Sequence, residues 1–198
     1  MIRFAILLLF ISPYGFGQNS DTIQVFFLYG SRPRHGHWHH ESHYFGGFHG
    51  GHVSIGIDST VIGFHHVKGL HLIGYRKPTG GLFECKRLQD FKKDTVNSKY
   101  TTFKIPLTEV QHYQLLQIFN DYRAQTPYDY SFFGMRCAAA AYDVLSQIGI
   151  FKVKSKCGNI TSNFYPKLFR KKMFALALEK HYKIHQHIGR KSRKWEND

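Results

Sequence analysis

Hydrophobic and polar residues alternate first with the period of strands and later with the period of helices. Residues 23–29 are almost all apolar, which predicts a buried strand. Positions 52–57 alternate strictly, and the segment 61–67 alternates again after a turn at residues 58–60, which predicts a hairpin. Residues 100–105 predict one more strand. The first half of the chain therefore has the pattern of a sheet.

The second half of the chain has the pattern of helices. Residues 108–111 have the spacing of a capping box and open a predicted helix that runs to about Arg123. The next predicted helix ends at Gly149, and its apolar stripe contains Cys137, Ala140, Ala141, Val144, Leu145 and Ile148. A last helix is predicted over residues 163–180. Strands followed by helices indicate the α+β class.

The N-terminal residues have the composition of a secretion signal. A basic start precedes an apolar run over residues 4–11, and residues 15–17 form the small-x-small pattern of a cleavage site. We therefore expect residues 1–17 to be a signal peptide and the mature protein to begin near Gln18. The mature protein is then periplasmic or extracellular.

The expected mature chain is long enough for one domain over residues 18–182, with a basic polar tail over residues 183–198. The chain has 198 residues and a formal net charge of +14. This charge favours an anionic partner, peptidoglycan or acidic lipid, with peripheral membrane contact, although it is also compatible with a merely solubilising surface. Nucleic acid is not an expected partner, because the chain carries an export signal and no nucleic-acid motif. We expect the basic C-terminal third to attach the protein to the envelope and to add little to the fold beyond the apolar stripe of its helix, which contains Phe169, Met173 and Leu176.

The chain has three cysteines, so at least one thiol lies outside any disulfide. Cys85 and Cys157 lie in polar sequence, and we expect them to pair and to leave Cys137 free. Cys137 has two interpretations. As part of the apolar stripe it is a small buried hydrophobe. In the first turn of its helix it is a nucleophile, since free N–H groups and the charge of Arg136 favour a thiolate and lower the thiol pKa.

His52 is the candidate base for such a nucleophile. It follows two glycines that leave room for a ligand, and it lies on the less hydrophobic side of the predicted hairpin. The hairpin places His65 on the same face, where it would orient the His52 ring as the third group of a triad does. A bulge would place His66 there instead. The alternative for these histidines is an exposed polar strand end.

A second group of histidines precedes the hairpin. Residues 34–51 are rich in glycine and aromatic residues and contain His35, His37, His39, His40, His43 and His49. Imidazole binds zinc, copper or nickel, yet the spacing fits no diagnostic ligand pattern. We therefore expect no specific metal and no cofactor, and interpret the segment as a lid over the site. Metal binding through this loop is an alternative function.

The order of these features resembles a known family. The segment Gly51-His52-Val53-Ser54-Ile55-Gly56-Ile57, a returning strand, a polar helix, an aromatic loop and then Cys137 at a helix start resemble the circularly permuted NlpC-type branch of the papain-like superfamily. That branch includes lecithin:retinol acyltransferase-like proteins and bacterial envelope hydrolases. The resemblance covers roughly residues 23–150. It implies a papain-like fold with a small antiparallel sheet packed against helices, with Cys137 as nucleophile and His52 as base.

These patterns lead to one expected function. The chain is expected to be an exported cysteine hydrolase, an amidase, peptidase or acyl hydrolase acting on a cell-envelope peptide or lipid. Cys137 attacks the carbonyl, His52 transfers the proton, and His65 orients His52. The backbone N–H of Cys137 supplies one oxyanion donor. The alternative from another class is a catalytically inactive relative that binds an envelope component through its basic surface.

Overall fold

Six antiparallel strands form one sheet in the described part of the chain, in the order β4-β3-β2-β1-β5-β6. The structure, a computed structural model, describes residues 21–32, 50–67, 70–74 and 80–197. The expected signal peptide and most of the histidine-rich segment lie outside these residues. The strands are β1 (Thr22–Tyr29), β2 (Gly51–Ile57), β3 (Thr60–His66), β4 (Gly81–Arg87), β5 (Tyr100–Pro106) and β6 (Lys183–His187).

In the described residues helices cover the sheet; the first lies between β4 and β5 along the chain, and the others lie between β5 and β6. They are α1 (Leu88–Asp94), α2 (Glu109–Ala124), α3 (Cys137–Gln147), α4 (Lys156–Ser162) and α5 (Pro166–Lys180). The predicted capping box is present at the start of α2, where Thr108 and Gln111 each accept the other's backbone N–H through their side chains. The predicted α+β class is confirmed, whereas the permuted papain-like arrangement stays a prediction. No helix in the described ranges has the length and apolar character needed to cross a bilayer.

The alternation along the hairpin and the continuous apolar run of β1 both follow from burial. Val53, Ile55 and Ile57 of β2 are 1–3% exposed and face α3. Strand β1 is central and is covered on both faces, because Phe27 packs on Phe169 of α5 with ring centroids 5.2 Å apart, while Phe26 contacts α1 on the opposite face. A strand that is buried on both faces reads as apolar at every position.

Four consecutive alanines allow α3 to approach the sheet closely. The side chains of residues 138–141 are at most 6% exposed, and α3 packs on β2 and β3. Small side chains shorten the distance between a helix and a sheet. The residue at the start of α3 is therefore held near the backbone of β2.

The C-terminal residues belong to the fold, and the expectation that they add little to it is wrong. Strand β6 pairs with β5 at the edge of the sheet. Further on, the Glu196 N–H donates to the Gly30 carbonyl at 2.9 Å, next to the end of β1. The Glu196 carboxylate lies 3.1 Å from the Arg170 guanidinium of α5, and both side chains are 1% exposed. Arg193 also donates to the Ser31 hydroxyl. We call residues 193–196 with these contacts the C-terminal clasp.

Candidate active site

Cys137 occupies the first turn of α3. Arg136 is the N-cap residue, with extended backbone at φ −130°, so the helix begins at the cysteine itself. Cys137 is 4% exposed, and its sulfur lies against β2, where the Val53 N–H donates to it. Val53 lies just beyond the point at which the backbone pairing of β2 with β3 ends, at Ser54 and Gly63. The thiol is thus held where these two strands separate.

His52 and His65 meet at the same end of the hairpin. Their rings stack with centroids 4.2 Å apart and planes inclined by 30°. Gly63 makes room for both, since a Cβ at that position would lie 2.7 Å from Nε2 of His52 and 2.9 Å from Nε2 of His65. The hairpin register thus brings His65, rather than His66, to His52. His66 instead tilts against the ring of Tyr130, 5.7 Å away.

The sulfur contacts Val53, the residue that follows His52. Because successive side chains of a strand face opposite sides, the His52 ring lies over Gly63 on the face of the hairpin opposite to that of Val53, Ile55 and Ile57. A hydrogen bond between the thiol and the imidazole stays a prediction. Nε2 of His52 is buried, and among the described residues it has no hydrogen-bond partner, the Cys137 thiol included. Buried nitrogens without a partner are exceptional in folded proteins, so this nitrogen is free to accept a proton from a group that reaches it. The orienting role of His65 also stays a prediction.

Burial dominates the ionisation of the thiol. It raises the pKa of Cys137 above the usual range of a cysteine. Four groups oppose this rise without overcoming it, namely the Val53 N–H, the Arg136 charge, the Ala138 N–H and the Tyr130 hydroxyl. The lowered thiol pKa expected from the helix start is therefore wrong. The helix start and the nearby charge are present as expected, but the loss of hydration outweighs them.

Burial also keeps the two histidines neutral. It lowers the pKa of His52 well below its usual value, and the charges of His65 and Lys86 add to the effect. Burial lowers the pKa of His65 as well, although Glu84, whose carboxylate lies 3.9 Å from its ring, acts in the opposite direction. A neutral imidazole can accept a proton. His52 is therefore in the form that a general base requires.

Tyr130 is a site residue that the sequence analysis did not assign. Its hydroxyl interacts with both the Cys137 thiol and the Arg136 guanidinium. Burial raises the pKa of Tyr130, so the hydroxyl stays protonated and can donate a hydrogen bond. The available signal was the aromatic loop over residues 126–134, which leads directly into α3. Composition alone does not show which of its rings turns toward the cysteine.

A pair formed by a histidine and an aspartate supports this loop. Nδ1 of His71 lies 2.7 Å from the carboxylate of Asp129, which also accepts the Gly80 N–H at 2.7 Å. The Phe132 N–H donates to the His71 carbonyl at 2.7 Å. These contacts join residues 70–74 to the loop on both sides of Tyr130. The two partners are far apart in the sequence, so no local pattern predicted their pairing.

The expected disulfide is absent, and that prediction is wrong. Cys85, Cys137 and Cys157 are all free thiols, of which only Cys137 is buried. Cys85 lies on the edge strand β4 and Cys157 on α4, and sequence gives no distance between such elements. Cys137 is free, as a nucleophile must be, but the expected pairing of the other two cysteines is not the reason.

Neither of two cavities in the described structure gives a substrate access to the sulfur. The enclosed cavity beside Cys137 has a volume of about 10 Å³ and lies between β2, β3 and α3, so it is too small for a substrate. A groove of about 560 Å³ runs between β4 and α2, where it is lined by Cys85 and Arg123. Neither Cys137 nor His52 lines that groove. The groove therefore gives no direct access to the sulfur.

Metal binding finds no support within the described ranges. They contain no group of three or more His, Cys, Asp or Glu side chains suited to hold a metal ion. The six histidines on which that alternative depends, and the lid function of their segment, lie outside the described residues.

Comparisons of the chain with protein-family models, with curated proteins and with solved structures find no match. The resemblance to the permuted NlpC-type group therefore stays a proposal based on the residues themselves.

Proposed function

We propose that this protein is an exported cysteine hydrolase of the permuted NlpC-type papain-like group. Its substrate is an amide or ester in an anionic component of the cell envelope, a peptidoglycan peptide or a lipid. The surroundings of the Cys137 thiol carry the proposal: it lies at a helix start and contacts the Val53 N–H and the Tyr130 hydroxyl, and Val53 directly follows His52, whose imidazole is neutral. A purely structural cysteine needs none of these polar neighbours.

The reaction begins with a proton transfer from Cys137 to His52. The raised thiol pKa and the lowered imidazole pKa keep the resting pair neutral, so the proton moves as the sulfur attacks the carbonyl carbon. The new S–C bond gives a tetrahedral intermediate with negative charge on oxygen. His52 then gives the proton to the leaving amine or alkoxide, the C–N or C–O bond breaks, and a thioester remains. Water, deprotonated by His52, hydrolyses the thioester and restores the thiol.

Two donors are available for the oxyanion. The backbone N–H of Cys137 has no partner within its own helix, because it belongs to the first turn. The Tyr130 hydroxyl, which interacts with the sulfur in the resting site, is the second donor. Loss of one such donor typically lowers kcat by about 100- to 1000-fold. Tyr130→Phe keeps the ring and its packing, and therefore isolates the contribution of the hydroxyl.

Hydrolysis of defined substrates by the mature protein tests the proposal. Short peptidoglycan stem peptides and short-chain phospholipids cover the two substrate classes, and mass spectrometry detects the released amine or fatty acid. Cys137→Ala and His52→Gln should abolish turnover. Cys157→Ala removes an exposed thiol and is the matched control, which should retain full activity. Turnover by Cys137→Ala equal to that of the native protein would contradict the proposed nucleophile.

A second candidate is favoured by the raised pKa of Cys137, which is also the property of an inert core thiol. In that case the protein binds an envelope component through its basic surface without cleaving it. The native protein and Cys137→Ala should then be retained equally on peptidoglycan and on acidic vesicles, with no product released in either case. Product formation that depends on Cys137 excludes this candidate.

A further inference from the structure

Arg136, the residue before the proposed nucleophile, is held among aromatic rings. Its guanidinium carbon lies 4.7 Å from the centroid of Phe164, 5.5 Å from that of Tyr165 and 5.6 Å from that of Phe132. Aromatic faces attract a cation and hold the guanidinium in place. They do not satisfy its N–H groups, which point outward in the plane of the group.

In the part of the chain that the structure describes, the charge of Arg136 has no counterion. Within the described residues no carboxylate forms an ion pair with it, and its Nη1 is buried without a hydrogen-bond partner. Arg170 shows the contrasting case in the same protein, since it lies 3.6 Å from the ring centroid of Tyr29 and also contacts the carboxylate of Glu196 at 3.1 Å. The surroundings of Arg136 supply the rings without the carboxylate. Such a site is complete only when an external anion supplies the oxygen atoms.

The guanidinium, which has the Tyr130 hydroxyl but no carboxylate as a partner among the described residues, is close to the reacting sulfur. Arg136 precedes Cys137 in the chain, and the Tyr130 hydroxyl interacts with both side chains. Arg136 is also partly exposed, so an anion can reach it from solvent. An anionic group bound by the guanidinium would then be only a few bonds away, in the same substrate, from the carbonyl carbon that Cys137 attacks.

We infer that Arg136 is an anion-binding subsite of the proposed active site, which selects substrates with a carboxylate or phosphate group near the scissile carbonyl. The inference rests on the proposed function, because it gives that site a substrate class. It also gives a function to the positive charge of Arg136 beside the nucleophile. The guanidinium binds the anion by charge-assisted hydrogen bonds and thereby places the neighbouring carbonyl over the sulfur.

Alkylation with two reagents of almost equal size tests the subsite directly. Iodoacetate and iodoacetamide both transfer their carbon to a thiolate with loss of iodide, but only iodoacetate carries a carboxylate. The ratio of the iodoacetate rate to the iodoacetamide rate should be about tenfold higher at Cys137 than at the exposed Cys157 of the same chain. Arg136→Gln should lower the ratio at Cys137 to that of Cys157, whereas Arg136→Lys should keep part of the increase. Arg190→Gln, an exposed arginine, is the matched control and should change nothing.

Equal ratios at Cys137 and Cys157 in the native protein would overturn the inference while leaving a reactive nucleophile in place. A thiol that reacts with neither reagent would instead count against the proposed hydrolase.

A binding assay in Cys137→Ala protein separates the subsite from the reactivity of the thiol. N-acetylglycine presents a carboxylate one carbon from an amide, and N-acetylglycinamide is its neutral counterpart. N-acetylglycine or inorganic phosphate should raise the melting temperature, the neutral amide should not, and Arg136→Gln should remove the effect. Stabilisation by N-acetylglycine alone identifies a carboxylate substrate, and stabilisation by phosphate alone identifies a phosphate headgroup. Stabilisation by neither anion overturns the inference.

Discussion

Substitution of Glu196 tests whether the C-terminal clasp is part of the folded domain. Glu196 and Arg170 form an ion pair at 3.1 Å in which both side chains are 1% exposed. The Glu196 carboxylate also accepts the Gly30 N–H at 3.3 Å. In Glu196→Ala the guanidinium stays buried, but its negative partner and one hydrogen-bond acceptor are lost.

The size of the effect follows from the cost of breaking a buried ion pair. Removal of one partner of such a pair typically reduces the free energy of unfolding by about 3–5 kcal/mol. In a domain of this size each kcal/mol corresponds to roughly 2–4 °C. The melting temperature of Glu196→Ala should therefore fall by about 6–20 °C. The pair itself need not be stabilising, so Arg170→Met with Glu196→Leu should recover much of the loss.

Urea unfolding at pH 7, followed by circular dichroism, measures the free energy, and calorimetry gives the melting temperature. Asp90→Ala is the control, since it breaks the exposed ion pair with Lys93 on α1 and should change the free energy of unfolding by less than about 0.5 kcal/mol. A loss below about 1 kcal/mol in Glu196→Ala would mean that the clasp does not contribute to stability, and the reasoning from burial would be refuted.

Three further predictions concern the site and the charged surface. Gly63→Ala places a Cβ 2.7 Å from Nε2 of His52. The His52 ring signals in NMR spectra should therefore shift, and turnover of the proposed substrate should fall. Unchanged spectra would contradict the close contact between residue 63 and the His52 ring. The free energy of unfolding should decrease as the pH falls below about 6.5, because the unfolded chain binds a proton at His52 that the folded protein, with its lowered pKa, does not. In His52→Gln this decrease with pH should be less steep. Identical slopes of the free energy against pH in the two proteins would mean that His52 is not buried in solution. Replacement of the exposed Arg190, Lys191 and Lys194 by glutamine should weaken retention on acidic vesicles and leave the clasp in place. Retention of the native protein should fall as salt rises, because exposed charges are screened over about 10 Å at 0.1 M salt; binding that is indifferent to salt would show that charge does not drive it.

The elements that local sequence determines were predictable. Alternation along β2 and β3 gave the hairpin and the meeting of His65 with His52, because a strand turns successive side chains to opposite faces. The capping box gave the start of α2. The apolar stripe gave α3, with Cys137 in its first turn.

Properties that depend on the packing of distant segments were not predictable. The sign of the Cys137 pKa change depends on how completely the sheet and the aromatic loop cover the sulfur, and a helix start does not reveal that coverage. The pairing of His71 with Asp129 and that of Arg170 with Glu196 each join residues far apart in the chain. A single charged residue in a polar segment, such as Glu196, has no periodicity that would mark it as buried.

The C-terminal clasp also determines when the chain can finish folding. Glu196 is synthesised after both of its partners, which lie at the end of the central strand β1 and in α5. At about 5–20 residues per second the ribosome needs roughly 8–33 s for the 166 residues that separate Gly30 from Glu196. Until Glu196 is made, Arg170 lacks this carboxylate, and until residues 183–187 are made, the edge of β5 lacks β6. The domain therefore completes these contacts only after residue 196 has been added, and nascent chains that stall before residue 183 present an open strand edge to neighbouring molecules.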